Sequence, residues 1–331
     1  MFFSNALDSS TVDSSTAELL RMIGCSFGTR LFLHCSVAQI GPSDRAFRSC
    51  LESRVFFGMD LIIAIQRAIP GLEPFFLLVT YFGSDIAFIA LLSLYYSLSG
   101  GAGGRALGLA FGLSFVTNTF LKEFLNLPRP YFLNPSVASA AAQATGTGPG
   151  LPSGHAQMTA TFWFARAARF GQLWLWIAAA LAVGLVSFSR LYLGVHFPED
   201  VMVGLVLGLY FAALADGLER IVIPQVVPFL ILAGLLIASA FISKELAQAC
   251  GVLAGFAFAR EGFALPRAWP LRILLAVLGL ILGVGFYLGS GAVLGALRQI
   301  SPVAFVRYLL LVLFAVQVWP LVLERSARGR P

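Results

Sequence analysis

LWLWIAAALAVGLVSFSRLYLGVHFPEDVMVGLVLGL, residues 173–209, contains one apolar run and the beginning of a second, joined by one polar string, SRLYLGVHFPED (Ser189 to Asp200). About 20 consecutive apolar residues suffice to cross the hydrocarbon core of a bilayer as a helix. Charged and ionisable groups are costly there, so Arg190, His196 and Asp200 between two such runs mark a functional site held at the end of a helix pair. This stretch therefore predicts both the fold class, membrane-spanning helices, and the place where chemistry occurs.

Working outward, the same material continues through most of the 331 residues: 58% are hydrophobic, 11% charged, and the mean hydropathy is +0.86. Ordinary soluble domains are about a quarter charged, so the chain reads as an integral membrane protein. Nine stretches are predicted to span, at approximately 77–98, 104–121, 154–170, 172–189, 197–215, 225–243, 246–264, 271–290 and 303–323. The expected architecture is an all-α, polytopic transmembrane bundle: a core of about five spans followed by a four-span C-terminal extension. The net charge of +6 comes from basic residues scattered singly at span ends, which argues against nucleic acid as a partner. Cys25, Cys35, Cys50 and Cys250 show neither C-x-x-C spacing nor a nearby cluster of His and carboxylates, so they read as small apolar fillers.

Span-end charges also predict orientation. Placing Arg105, Arg166, Arg169, Arg220, Arg267, Arg272, Arg325, Arg328 and Arg330 in the cytoplasm satisfies the positive-inside rule. The opposite turns then carry Lys244 and Arg298, together with Lys122, Arg129 and Arg190. The last three belong to polar strings, so those strings are expected together on the non-cytoplasmic face.

Two further strings accompany the first: KEFLNLPRP (Lys122 to Pro130) and PSGH (Pro152 to His155). A set of one Lys, two Arg, two His and a single Asp lacks the second carboxylate of a metal site and suits an anion with several oxygens, of which phosphate is the obvious candidate. Pro152 and Ser153 precede a span whose helix is expected to start near Gly154, so its unpaired N–H groups and positive dipole end would face the anion. Gly154 allows close backbone approach and Ser153 adds a hydroxyl. Pro198 suits the first turn of a helix, which places Asp200 in that turn near His196. A carboxylate that accepts a proton from one imidazole nitrogen leaves the other free to attack phosphorus, which makes His196 a candidate nucleophile and Asp200 its orienter. His155 remains to protonate the departing oxygen. Taken singly, Lys122, Arg129 and Arg190 read as interface anchors and Asp200 as a helix cap. Their conjunction on one membrane face, in order and within 80 residues, is what points to a site.

Together the strings resemble the type 2 phosphatidic acid phosphatase (PAP2) superfamily, whose signature is K-x6-RP, PSGH and SR-x5-H-x3-D. Lys122, Arg129, Pro130, Pro152, Ser153, Gly154, His155, Ser189, Arg190, His196 and Asp200 match every defined position. The resemblance covers about residues 59–220. It implies that Lys122, Arg129, Ser153, Gly154 and Arg190 hold phosphate oxygens, that His155 is the acid, and that His196 forms a phosphohistidine relieved by water, with Asp200 steering it. It implies no metal and no cofactor. Many bacterial members stop after about six spans, so the spans from 225 onward depart from that pattern; longer members include enzymes similar to sphingoid-base phosphate phosphatases.

The expected organisation is a poorly ordered leader at 1–58, with Met59 as an alternative start; a catalytic membrane domain at 59–220; and C-terminal transmembrane helices of unassigned role at 221–331. MDLIIAIQRAIPGLEPFF, from Met59, suits a helix lying in the interface. Pro135 to Gly150, small and glycine-rich, reads as a loop over the site or as a plain linker. Gly204 and Gly208 form a small-xxx-small pair suited to close helix packing. The expected activity is metal-independent hydrolysis of a lipid phosphate or pyrophosphate at the non-cytoplasmic face, with a phosphotransferase using the same phosphohistidine as the alternative and a transporter as a third class. The expected partners are the lipid phosphate substrate and membrane lipids, with a homodimer left open. The expected location is the bacterial inner membrane, with the site on the periplasmic or extracellular side.

Overall fold

The computed structural model describes residues 45–221, 224 and 226–328, with side chains from residue 57 onward. The expectation for the leader therefore lies outside the described residues as far as residue 44, as do Cys25, Cys35 and the side chain of Cys50. The chain divides into two compact units, 1–61 and 62–331. Of the first, residues 45–61 are helical and belong to helix α1, Arg45–Ala68, so Met59 falls inside a helix. Everything below concerns the second unit.

The described residues are about 80% helical, with no strand among them, and form a polytopic membrane protein. After α1 come α2 (Glu73–Tyr81), α3 (Asp85–Ser99), α4 (Gly104–Leu125), α5 (Gly154–Phe170), α6 (Leu173–Tyr192) and α7 (Pro198–Glu219). The C-terminal part holds α8 (Val226–Ala238), α9 (Lys244–Ala257), α10 (Trp269–Leu294), α11 (Ser301–Leu313) and, after a π turn at Phe314–Val318, α12 (Trp319–Arg328). Local chemistry sets several of the ends. Ser84 caps α3 by accepting from the Ala87 amide, Ser243 does the same for α9 through Leu246, and Pro198 opens α7. Gly100 and Gly171 close α3 and α5 in the left-handed conformation.

Every predicted stretch contains helix, and among the described residues four helical segments are long and apolar enough to cross by themselves: 173–192, 198–219, 269–299 and 301–328. A fifth arises if Phe57–Ala68 and Glu73–Tyr81 count as one broken span. The physical reason lies in what the others carry. The stretch predicted at 77–98 breaks at Phe82–Ser84 between α2 and α3, and α8 and α9 are only 13 and 14 residues long. Helices α4 and α5 hold Ser114, Asn118, Thr119, Gln157, Thr159 and Thr161, all buried, which lowers hydropathy without exposing polarity to lipid.

Those two helices and α7 form the framework of the site. Gly204 and Gly208 of α7 face α5 so closely that a Cβ would meet Ser153 O at 2.6 Å and the Ala160 Cβ at 2.5 Å. The expected small-residue packing is thus present and brings the start of α5 against the first turns of α7. On the other side of α4, Gly108 and Gly112 pack against Phe256 and Leu253 of α9. Helices α9, α11 and α12 build an apolar core around Val252, Phe256, Val312, Trp319 and Leu323.

Candidate active site

Because α4, α5, α6 and α7 alternate in direction, the end of α4, the start of α5, the end of α6 and the start of α7 meet at one end of the bundle. Lys122 sits in the last turn of α4, His155 in the first turn of α5, Arg190 near the end of α6 and Asp200 in the first turn of α7. Arg129 follows α4 in a loop, and His196 lies in the link between α6 and α7. At the opposite end, Arg169 pairs with Glu219 at 2.5 Å and Arg105 with Glu261 at 3.5 Å.

Backbone bonds tie the three strings together. The Ser153 amide donates to Asp200 O at 2.8 Å, and the Gly150 amide donates to Leu127 O at 2.8 Å. The Arg129 guanidinium reaches across to Val195 O at 2.9 Å. Within this frame His196 is 1% exposed, and Asp200 and Arg190 are fully buried. The His196 Nδ1 lies 3.3 Å from Asp200 Oδ2, the same oxygen that accepts from the Phe197 amide at 3.0 Å. The carboxylate thereby caps α7 and fixes the imidazole. The other ring nitrogen, Nε2, lies 2.9 Å from Arg129 Nη1. Arg129 can only donate, so Nε2 carries a lone pair and Nδ1 carries the proton.

Burial pushes the His196 imidazole well below its ordinary pKa, and the positive charges of Arg129, Lys122 and Arg190, then His155, push it further in the same direction. The neutral ring is the form that can act as a nucleophile. Burial is likewise the main cause lowering the Arg129 pKa, opposed by Tyr131 and Asp200. Two donors named by the sequence, Ser153 Oγ and Arg190 Nε, are buried with no hydrogen-bond partner. A buried donor without an acceptor is unfavourable, and an oxyanion seated between α5 and α6 would satisfy both.

All eight sequence-derived site residues, Lys122, Arg129, Ser153, Gly154, His155, Arg190, His196 and Asp200, thus lie at one end of the bundle. A second set was not named from the sequence. Thr80 of α2 accepts from Arg190 Nη1. Asn118 Nδ2 donates to Gln157 Oε1 at 2.8 Å, and Gln157 Nε2 donates to Ser114 O at 2.9 Å. Ser114 Oγ lies 3.0 Å from Thr161 Oγ1. Asn118 Oδ1 also lies 3.2 Å from where a Cβ on Gly154 would stand. This network pins the start of α5 to α4. Its one sequence signal was the run of hydroxyl and amide residues inside helices otherwise apolar enough to span. The loop expected at 135–150 is partly ordered into a 3-10 turn at Pro135–Val137 and a short helix at Ala140–Ala144.

Residues 103–217 match the model of the PAP2 superfamily. Glucose-6-phosphatase 3 of Mus musculus is 29% identical over 189 residues, covering 48% of this chain and 52% of that one. Undecaprenyl-diphosphatase of Sulfolobus acidocaldarius is 28% identical over 174 residues, covering 51% and 81%. Phosphatidylglycerophosphatase B of Bacillus subtilis is 31% identical over 126 residues, covering 35% and 58%. Among solved structures, the transmembrane PAP2-type phosphatidylglycerolphosphate phosphatase of Bacillus subtilis superposes with a TM-score of 0.44 at 22% identity, over 62% of this chain and 95% of that one. The chain spans about half the length of the glucose-6-phosphatases it matches. The matched segment runs from the start of α4 almost to the end of α7 and contains every motif residue described above, so it is in residues 103–217 that the chain is similar to the PAP2 superfamily.

Proposed function

We propose that this protein is a metal-independent lipid phosphate or pyrophosphate phosphatase that works through a phosphohistidine on His196. The observation that carries the reading is the His196 imidazole, held by Asp200 on one nitrogen and presenting its other nitrogen among Lys122, Arg129 and Arg190. In this mechanism Nε2 attacks phosphorus, the bond to the lipid oxygen breaks, and His155 delivers a proton to that oxygen. Water then attacks the N–P bond, His155 takes the proton it loses, and inorganic phosphate leaves with His196 neutral again. Ser153, the Gly154 amide and the three cations stabilise the charge that develops on the equatorial oxygens. Diphosphatase and phosphatidylglycerophosphatase relatives, together with a site at the end of membrane helices, favour a lipid-borne phosphate.

The motif end of the bundle is assigned to the non-cytoplasmic face, because the opposite end carries Arg105, Arg166, Arg169 and Arg220. Purified, detergent-solubilised protein assayed for phosphate release against a panel of lipid phosphates and pyrophosphates tests the class and the substrate together. Release from at least one lipid, with label retained on wild-type protein after an alkaline or detergent quench and absent from His196→Ala, is the expected result. Label passing to a lipid or sugar hydroxyl in place of water would identify a transferase. Full turnover by His196→Ala would remove the mechanism.

A further inference from the structure

Every cation that the site offers to an anion is engaged by one short piece of backbone. Lys122 Nζ donates to Pro149 O at 3.0 Å. Arg129 donates through Nη2 to Thr147 O at 2.9 Å and through Nε to Gly148 O at 2.8 Å. Arg190 donates through Nη2 to Thr145 O at 3.2 Å and through Nη1 to Thr145 Oγ1 at 3.0 Å. The carbonyls of four residues among five in succession, 145 to 149, therefore converge on the three groups assigned to phosphate. The remaining carbonyl, Gly146 O, accepts from the phenol of Tyr131 at 2.7 Å, and Tyr131 itself is 8% exposed.

The sequence of this segment, TGTGP, fits the task. A Cβ on Gly146 would stand 2.8 Å from both Arg129 Nη1 and Arg190 Nη2, so only glycine lets the backbone pass between the two guanidinium groups. Gly148 has φ +69°, a left-handed turn that aims successive carbonyls inward. Beyond the segment, the Gly150 amide is fixed to Leu127 O. Neutral oxygens thus occupy the cations, while Arg129 Nη1 covers the lone pair of His196 Nε2.

We propose that residues 145–149 are a strap that competes with the substrate phosphoryl group for Lys122, Arg129 and Arg190, with Tyr131 as its latch. This rests on the site reading given above. A dianionic phosphoryl group offers these cations opposite charge and bidentate geometry that a neutral carbonyl lacks, so it displaces the carbonyls where a neutral or weakly charged head group does not. The strap thereby sets specificity for phosphate and keeps the nucleophile covered until substrate arrives. The observed affinity is the intrinsic affinity reduced by the fraction of molecules with the strap open.

The test measures orthovanadate inhibition and lipid phosphate hydrolysis by the full chain in detergent, for wild type, Tyr131→Phe and Gly148→Ala. Tyr131→Phe removes the latch bond and keeps the ring. Gly148→Ala strains the left-handed turn, and its Cβ meets nothing within 4 Å, so it loosens the strap without a clash. Each variant is expected to lower the vanadate inhibition constant and KM about threefold to tenfold, with kcat not reduced. A simple loss of structure would instead lower kcat or raise KM. Unchanged or raised constants in Gly148→Ala, whatever Tyr131→Phe does, overturn the strap while leaving the phosphatase reading intact. A wild type that neither hydrolyses any lipid phosphate nor binds vanadate overturns the site reading, and the strap with it.

Discussion

Helices α4 to α7 and helices α9 to α12 are built from the same apolar alphabet, yet they bury different things. The first group encloses Ser114, Asn118, Ser153, Gln157, Thr161, Arg190, His196 and Asp200, each at most 3% exposed. The second encloses Phe256, Phe305, Val316, Trp319 and Leu323. It stacks Arg307 on the Tyr287 ring at 4.4 Å and pairs Arg260 with Glu324 at 3.2 Å. Buried polarity is expensive unless each group finds a partner, so a region that concentrates it has been shaped by something other than stability. These charged contacts lie within the C-terminal region itself.

This contrast can be broken most decisively at the nucleophile. His196→Ala should lower kcat at least about a thousandfold, as expected for a group that forms a covalent intermediate, whereas Arg307→Met should leave kcat/KM within about twofold. Comparable losses in both variants would show that the two regions share the chemistry. The next largest effect is expected at Arg129, whose fork contacts Thr147, Gly148, Val195 and His196 together. Arg129→Lys keeps the charge and loses the fork, so kcat/KM should drop about tenfold to hundredfold, in line with one or two charge-assisted hydrogen bonds; wild-type kinetics would rule out forked contact.

A matched pair of glycines sharpens the comparison further. A Cβ on Gly208 would stand 2.5 Å from the Ala160 Cβ, and one on Gly255 would stand 2.6 Å from the Val312 Cβ. Gly208→Ala and Gly255→Ala should each cost about 1–3 kcal/mol of stability by overpacking, read as a lowered melting temperature in detergent. Only Gly208→Ala should also reduce kcat severalfold, because it displaces the start of α5 and with it His155. Equal activities at equal destabilisation would remove the link between packing and catalysis.

The smallest effect is a matter of protonation. The folded His196 pKa lies well below the ordinary value of about 6.5. Above that pH both folded and unfolded chains hold a neutral ring. As pH falls through it, the unfolded chain takes up the proton first, so stability should decline on the acid side. Nitrogen-15 NMR with the His196 ring assigned should show that ring neutral, protonated on Nδ1, through pH 6.5. An imidazolium signal for His196 at that pH would contradict the burial described here.

Much of the site was legible without coordinates, because the three strings stand out chemically from their apolar surroundings and each lies at the end of an apolar run. Alternation of helix direction then places those ends together. Less legible were Asn118, Gln157 and Ser114, which look like isolated polar residues in a helix until a neighbouring helix supplies the partner. Thr80 and Tyr131 gave no signal in one dimension, since a threonine in an apolar helix and a tyrosine beside a proline are ordinary. Helix ends were less legible for a related reason: hydropathy averages over a window and cannot register the break at Phe82–Ser84 or the early ends of α8 and α9.

By itself the sequence determined the solvent this protein folds in, the family its motifs resemble and the residue types that gather in the polar strings, since cost of burial and motif spacing are properties of the chain. Only the tertiary structure decided which imidazole nitrogen carries the proton, which helices carry the polar network, and that backbone oxygens of residues 145–149 rest on the three cations. Those outcomes depend on distances of a few ångströms between segments far apart in the chain, and hydrogen bonding is too short-ranged for composition or periodicity to encode them.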